Sequence, residues 1–264
     1  MAEKLGFKLQ SGNVMPAIGL GTYAPKQGED EVIKAVKVGV RAGYRHLDCA
    51  AIYRNERAVG HAIKELIIED TITREDIFVT SKLWNTCHRP DLVLSSLKKS
   101  LYDLGLTYLD LYLIHWPMGL QEGGEFLPKD EDGTVLFSEV DFVETWKALE
   151  DCVDEGLVRD IGLSNFNSQQ ISQIMEIARI RPSNNQCLPK SKQCVCVHPT
   201  CYHCSVHFTP PLQEPTVLEI AQKKGKTPAQ VILRFLLQKK ICVIPKSVTP
   251  SRVTENFQCD RIRD

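Results

Sequence analysis

Apolar residues recur along this chain in two alternating rhythms. Short apolar runs bounded by glycine or polar residues are followed by stretches with an apolar residue every three or four positions. Pro16 to Gly21 is the first run, after which Val32, Ile33, Val36 and Val40 share one helical face. His46 to Ala50 reads as a second strand, followed by the stripe Ala58, Val59, Ala62, Ile63, Leu66 and Ile67. Ile77 to Ser81 is a third strand, and its helix carries Leu94, Leu97, Leu101 and Leu104 with Gly105 as a stop signal. Leu109 to Trp116 is apolar almost throughout, as a buried parallel strand should be. The polar stretch from Met118 to Val140 is too long for a plain connector and predicts a loop over a site.

The alternation then resumes. Phe142, Trp146, Leu149 and Val153 mark a helix closed by Gly156, and Asp160 to Ser164 a fifth strand. Asn167 or Ser168 can cap a helix bearing Ile171, Ile174 and Met175. Ser183 to Gln186 stands where a sixth strand belongs. Thr227 and Gln230 form a capping box with Pro228 at the first helical position, and that helix runs through Leu237. Ile241 to Pro245 is a last strand, and Thr249 with Pro250 opens one more helix. Strands alternating with helices imply right-handed crossovers and a parallel sheet. The spacing leaves room for one further strand and helix between Cys187 and Glu214. Eight pairs make a (β/α)8 TIM barrel, an α/β fold of about 250 residues. The expectation is one barrel domain over residues 1–264. No Gly-x-Gly-x-x-Gly follows the first strand, which counts against a Rossmann domain.

Composition narrows the function more than the fold. A net charge of −1 gives no electrostatic footprint for nucleic acid or an anionic membrane surface. No apolar run reaches the length of a spanning helix, and the N-terminus has no apolar signal core, so a cytoplasmic chain is expected. The ten cysteines are read as reduced thiols.

In a barrel of this kind, chemistry gathers where the strands end. The polar residues there are Asp48, Tyr53 just beyond it, Lys82 and His115. Singly, each type is most often a solvated or structural group. Together they describe a proton-transfer device. A free phenol, with a pKa of about 10, is a poor acid at neutral pH, and a nearby ammonium favours its phenolate. Lys82 would supply that charge, Asp48 would hold Lys82, and Tyr53 would become a general acid. His115 can donate to a carbonyl oxygen where negative charge develops. No serine or cysteine is placed as a nucleophile, so a hydride from a cofactor is the missing partner.

Asp48, Tyr53, Lys82 and His115 resemble the catalytic tetrad of the aldo-keto reductases in type, order and spacing. The surrounding runs Gly19 to Thr22, Gly43 to Ala51, Thr80 to Trp84, Leu113 to Pro117 and Gly162 to Phe166 are similar as well. The resemblance spans residues 5–186 and returns over 215–258, and it is nearest to the aldehyde-reducing members. It implies reduction of a small aldehyde or ketone with NADPH, by a cytoplasmic monomer. By the same resemblance Ser164, Asn165 and Gln186 would hold the nicotinamide carboxamide. Gly21, Thr22 and Tyr23 would line that pocket, with Tyr23 where tryptophan is usual. Trp84 and Trp116 would wall the substrate pocket. The run through Lys246, Ser247, Val248 and Thr249 to Arg252 would grip a 2′-phosphate, and Glu255 and Asn256 would meet the adenine. Lys246 and Arg252 sit at the mouth of a helix, and helix N-termini bind anions.

Two segments depart from that pattern. From Cys187 to Gln213 the family's strand ending in Tyr-Ser-Pro-Leu-Gly is missing, and a Cys- and His-rich stretch replaces it. The resemblance also stops after Gln258, without the family's last helix and C-terminal loop. A barrel lacking its seventh strand would have two open edges beside the site, with Cys204 to Phe208 as a possible substitute. Cys194, Cys196, Cys201 and Cys204 with His198, His203 and His207 have spacings that permit zinc without specifying it. The favoured reading is no metal. The alternative to a reductase is a catalytically impaired remnant that binds nucleotide or protein.

Overall fold

The computed structural model describes residues 6–187, 194–196 and 211–261. It opens with a hairpin in which β1 (Gly6–Lys8) pairs antiparallel with β2 (Val14–Pro16). β3 (Leu20–Gly21) follows, and then α1 (Glu29–Ala42). Three acidic residues in the first turn of α1 and Arg41 in the last complement its dipole, and Gly43 ends it at φ 118°, a conformation glycine adopts freely. β4 (His46–Asp48) and α2 (Glu56–Ile68), then β5 (Phe78–Leu83) and α3 (Pro90–Leu104), repeat the unit. β6 (Leu109–Ile114), α4 (Phe142–Asp154), β7 (Val158–Ser164) and α5 (Ser168–Ile177) continue it. α5 begins with a capping box between Asn167 and Gln170. β8 (Asn185–Cys187), β9 (Cys194–Cys196), α6 (Pro215–Lys224), α7 (Pro228–Gln238), β10 (Cys242–Val243) and α8 (Pro250–Phe257) complete the described chain.

One eight-stranded sheet runs β10-β9-β8-β7-β6-β5-β4-β3, with parallel pairing from β3 through β8. Its two ends meet. The Gly19 N–H donates to Val243 O at 2.8 Å, Val243 N–H to Ala17 O at 2.9 Å, and Gly21 N–H to Pro245 O at 3.1 Å. The sheet is therefore a closed ring inside a layer of helices, the α/β barrel that the alternation predicts.

The seventh strand position corrects an expectation. No open edge remains there, because β9 pairs antiparallel with both β8 and β10. The strand in the slot is Cys194–Cys196, whereas Cys204 to Phe208 lies outside the described residues. Connection length explains the reversed direction. Only six residues separate Cys187 from Cys194, and a parallel crossover needs a dozen or more.

Two apolar layers hold the ring. Leu47, Val79, Tyr112, Ile114, Ile161 and Leu163 face outward onto α1 to α5, with Trp146 of α4 fully buried among them. Inside lie Leu9, Met15, Phe78, Leu111, Leu113, Cys242 and Ile244. The N-terminal hairpin caps the floor, where Asp160 accepts from Ser11 N, Asn13 Nδ2 and Ser183 Oγ at 3.2, 3.2 and 2.7 Å. The opposite rim, at the strand C-termini, is left for the polar residues.

Candidate active site

β4, β5 and β6 are adjacent and parallel, so their last residues arrive side by side at one rim. Asp48 ends β4, Lys82 lies near the end of β5, and His115 follows β6. Tyr53 closes a one-turn 3-10 helix, Ala51–Tyr53, which brings the phenol back over β4. The four side chains converge. Lys82 Nζ lies 2.8 Å from both carboxylate oxygens of Asp48, 2.9 Å from Cys49 O and 3.3 Å from Tyr53 OH. The His115 ring stands edge-on to Tyr53, with centroids 6.0 Å apart, and to Trp84 at 5.4 Å.

Burial sets the charges. Burial works against the Lys82 ammonium, but attraction to Asp48 and contact with Tyr53 outweigh it and hold its pKa above the ordinary lysine value. Burial, reinforced by Lys82, pushes the His115 imidazole well below the usual histidine range. The rim therefore presents a charged ammonium, a phenol and a neutral imidazole within one small volume. His115 Nδ1 is buried with no hydrogen-bond partner among the described residues.

The other expected residues fall into two groups. Around the cluster, Thr22 Oγ1 donates to Asp48 O at 2.9 Å, and Tyr23 stacks edge-on against Tyr53 at 5.1 Å. Asn165 Nδ2 donates to His115 O at 2.9 Å and to Ser164 Oγ at 3.1 Å. Asn165 adopts φ 63°, a left-handed conformation that asparagine tolerates. Trp116 is half-buried beside His115. The segment after Met118 does lie over this rim: Trp84 Nε1 donates to Phe126 O at 2.6 Å, and Leu120 N to Asn85 O at 2.8 Å.

The second group follows β10. Gly21 forms a parallel bridge with Lys246, which places that segment against the cluster's edge. Lys246 and Arg252 are exposed, and neither has an ion-pair partner among the described residues. They flank Thr249, the residue that starts α8. Ser247 Oγ accepts from Thr249 N at 3.1 Å, Val248 packs on the outer core, and Asn256 is half-buried. Glu255 is already engaged, accepting from Thr227 Oγ1 at 2.8 Å. An anionic group fits two unpaired cations at a helix N-terminus. Of the zinc-permissive set, His198, Cys201, His203, Cys204 and His207 lie outside the described residues.

The model of the Aldo/keto reductase family matches residues 17–189. Aldo-keto reductase family 1 member A1 from Cricetulus griseus is 44% identical, over 95% of this chain and 83% of that protein. The Homo sapiens protein of the same name is also 44% identical, over 95% and 82%. The chain belongs to the aldo/keto reductase family. It is thus an oxidoreductase of an NADP-dependent family. The solved structure of the aldose reductase from Schistosoma japonicum superposes with a TM-score of 0.87 at 46% identity, covering 97% of this chain and 86% of that one. An aldo/keto reductase barrel thus accommodates the reversed β9.

One residue and one contact of this family member escape a reading by motif. Asn55 Nδ2 donates to Thr22 O at 2.7 Å, tying the segment before α2 to the loop after β3. Its place just before a helical stripe is the only signal for it. Gln186 was assigned above to a cofactor amide, yet its Nε2 donates to Asp48 Oδ1 at 2.8 Å. Nothing in the sequence pairs those two positions.

Proposed function

We propose that this chain reduces aldehydes and related small carbonyl compounds with NADPH, using Tyr53 as the general acid. The observation that carries the proposal is the contact of Lys82 Nζ with both Asp48 and Tyr53 OH, at 2.8 and 3.3 Å, in a buried setting. An ammonium at that distance stabilises negative charge on the phenolic oxygen, which lets Tyr53 give up its proton. His115, kept neutral, retains one N–H to donate to a carbonyl oxygen as charge builds there. Asp48 keeps Lys82 fixed and charged. Trp84, Tyr23 and Trp116 supply apolar walls that exclude water from a small carbonyl substrate.

NADPH, when bound, supplies the hydride that adds to the carbonyl carbon. The residues suited to hold it are Ser164, Asn165 and Gln186 for the carboxamide, with Gly21, Thr22 and Tyr23 alongside. Lys246, Ser247, Val248, Thr249 and Arg252 suit a phosphate, and Glu255 and Asn256 the adenine. Lys246 and Arg252, unpaired among the described residues, favour NADPH over NADH, because only the former carries a 2′-phosphate to neutralise. No helix among the described residues is long and apolar enough to cross a membrane. The same reading makes the protein a cytoplasmic monomer.

Replacing Tyr53 by Phe tests the mechanism. Turnover is expected to fall by about two to four orders of magnitude while NADPH binding, followed by nucleotide fluorescence, persists. Turnover at the wild-type rate sinks the assignment of Tyr53.

One observation favours a second reading, a chain that binds nucleotide without turnover. β9 is reversed, so the loop that a parallel seventh strand would deliver to the catalytic rim does not come from it. NADPH-selective binding with reduction of simple aldehydes supports the first reading. Selective binding without reduction supports the second.

A further inference from the structure

Gln186 is joined at both ends to different parts of the site. Its backbone O accepts from Asn165 N at 2.9 Å, and Asn165 in turn holds His115 O. Its side chain crosses the barrel interior to Asp48, 138 positions away in the chain. Both residues are buried. The neighbouring Asn185 points elsewhere, exchanging hydrogen bonds with the backbone of Phe166. Asp48 Oδ1 therefore receives two donors, Lys82 Nζ and Gln186 Nε2.

We propose that Gln186 is a positioning residue for proton transfer, acting on Tyr53 through the Asp48–Lys82 pair. The proposal rests on the reading of Tyr53 as the proton donor. It is compatible with a cofactor contact, because a primary amide has a second N–H and a carbonyl oxygen to offer. The physical effect is electrostatic. Among the groups facing Tyr53 are Lys82 from β5, with Asp48 of β4 held against its ammonium, His115 beyond β6 and Tyr23 beyond β3. Burial keeps His115 neutral, so Lys82 and the Asp48 it holds are the charged pair of this cluster acting on the phenol. Gln186 turns the positive end of an N–H dipole onto Asp48 and offsets part of its charge. Without that dipole, Asp48 cancels more of the pull of Lys82, and the phenol holds its proton more tightly.

The test is an alkaline absorbance titration of tyrosinate in the cofactor-free chain. Wild type and Gln186→Met are each compared with the same background carrying Tyr53→Phe, so that the difference isolates Tyr53. The Tyr53 step is expected to move to higher pH in Gln186→Met by about half a unit or more. The alkaline limb of kcat at saturating NADPH is expected to move the same way. Gln186→Glu, of equal size, brings a second carboxyl group beside Asp48 and should move the step further, which covers the case in which the Met variant does not fold. An unmoved Tyr53 step in a folded variant, with only the KM for nucleotide raised, overturns the proposal and leaves Gln186 as a cofactor residue alone. A wild-type chain without turnover would refute the reductase reading, whereas the absorbance step decides the role of Gln186 on its own.

Discussion

Lys82 Nζ is equidistant, at 2.8 Å, from the two carboxylate oxygens of Asp48, and neither side chain is exposed to solvent. Removing the carboxylate would leave an uncompensated ammonium inside the barrel. Asp48→Asn is expected to destabilise the fold by about 3–5 kcal/mol, measured by urea denaturation at neutral pH. The pH dependence has a definite sign. The folded pKa of Lys82 is raised, so the stability it contributes is present below the unfolded value of about 10.4 and is lost as pH rises through the folded value. Asp48→Asn should lose that alkaline dependence, and an unaltered alkaline curve would contradict the pairing.

Among the described residues, three imidazoles are buried, and burial keeps them neutral at pH 7. Burial pushes His46 and His88 down to about 4, and His115 well below the ordinary range. The unfolded chain takes up protons near pH 6.5 that these rings refuse, so stability falls as pH drops from about 6.5 toward 4. His88 is the cleanest probe, since neither ring nitrogen has a hydrogen-bond partner among the described residues. His88→Leu should flatten the slope of unfolding free energy against pH by about 1.4 kcal/mol per unit in that window. An unchanged slope would mean that native His88 carries a proton.

Lys246 and Arg252 are unpaired among the described residues and exposed beside the start of α8. A charge-assisted contact contributes about 1.5–3 kcal/mol. Arg252→Ala and Lys246→Ala should each weaken NADPH by about 10- to 100-fold and leave NADH nearly unchanged, as read by nucleotide fluorescence. Equal losses for both nucleotides would remove the 2′-phosphate assignment.

Thr227 serves two helices with one hydroxyl. Its Oγ1 accepts from Gln230 N at 3.3 Å, capping α7, and donates to Glu255 Oε1 at 2.8 Å on α8. Thr227→Ala should lower stability by about 1–2 kcal/mol, and Thr227→Ser should restore most of it. Thermal melting decides, and an unmoved midpoint for the alanine variant would show that the cap contributes nothing.

The site was legible in the sequence wherever order along the chain equals order in space. Asp48, Lys82 and His115 come from β4, β5 and β6, which are consecutive and parallel. Reading strand ends in sequence is then the same as walking around the rim. α1 to α5 were legible because each packs an apolar stripe on the ring, and the capping box at Thr227 marked α7 directly. α6 was not read, because it buries little beyond Ala221 and packs on α7 instead of the ring. Three further features were not. The β1–β2 hairpin consists of three-residue strands, too short for a two-residue rhythm to register. The Gln186–Asp48 contact crosses the barrel interior, where no periodicity connects the partners. The seventh position is held by Cys194–Cys196, in a Cys- and His-rich stretch where no periodic pattern marks a strand.

The seam that closes the ring also sets a timetable. Pro16 and Cys242, which meet there, are 226 positions apart. A ribosome adding about 5–20 residues per second takes roughly 10–45 s to cover that interval. Throughout it the free edge of β3 has no partner, so this strand edge is where a nascent chain is most open to capture by a chaperone or by another nascent copy. Closure has to wait for synthesis of β10, and slowing synthesis of α7 and β10 should prolong exposure of that edge without altering the finished barrel.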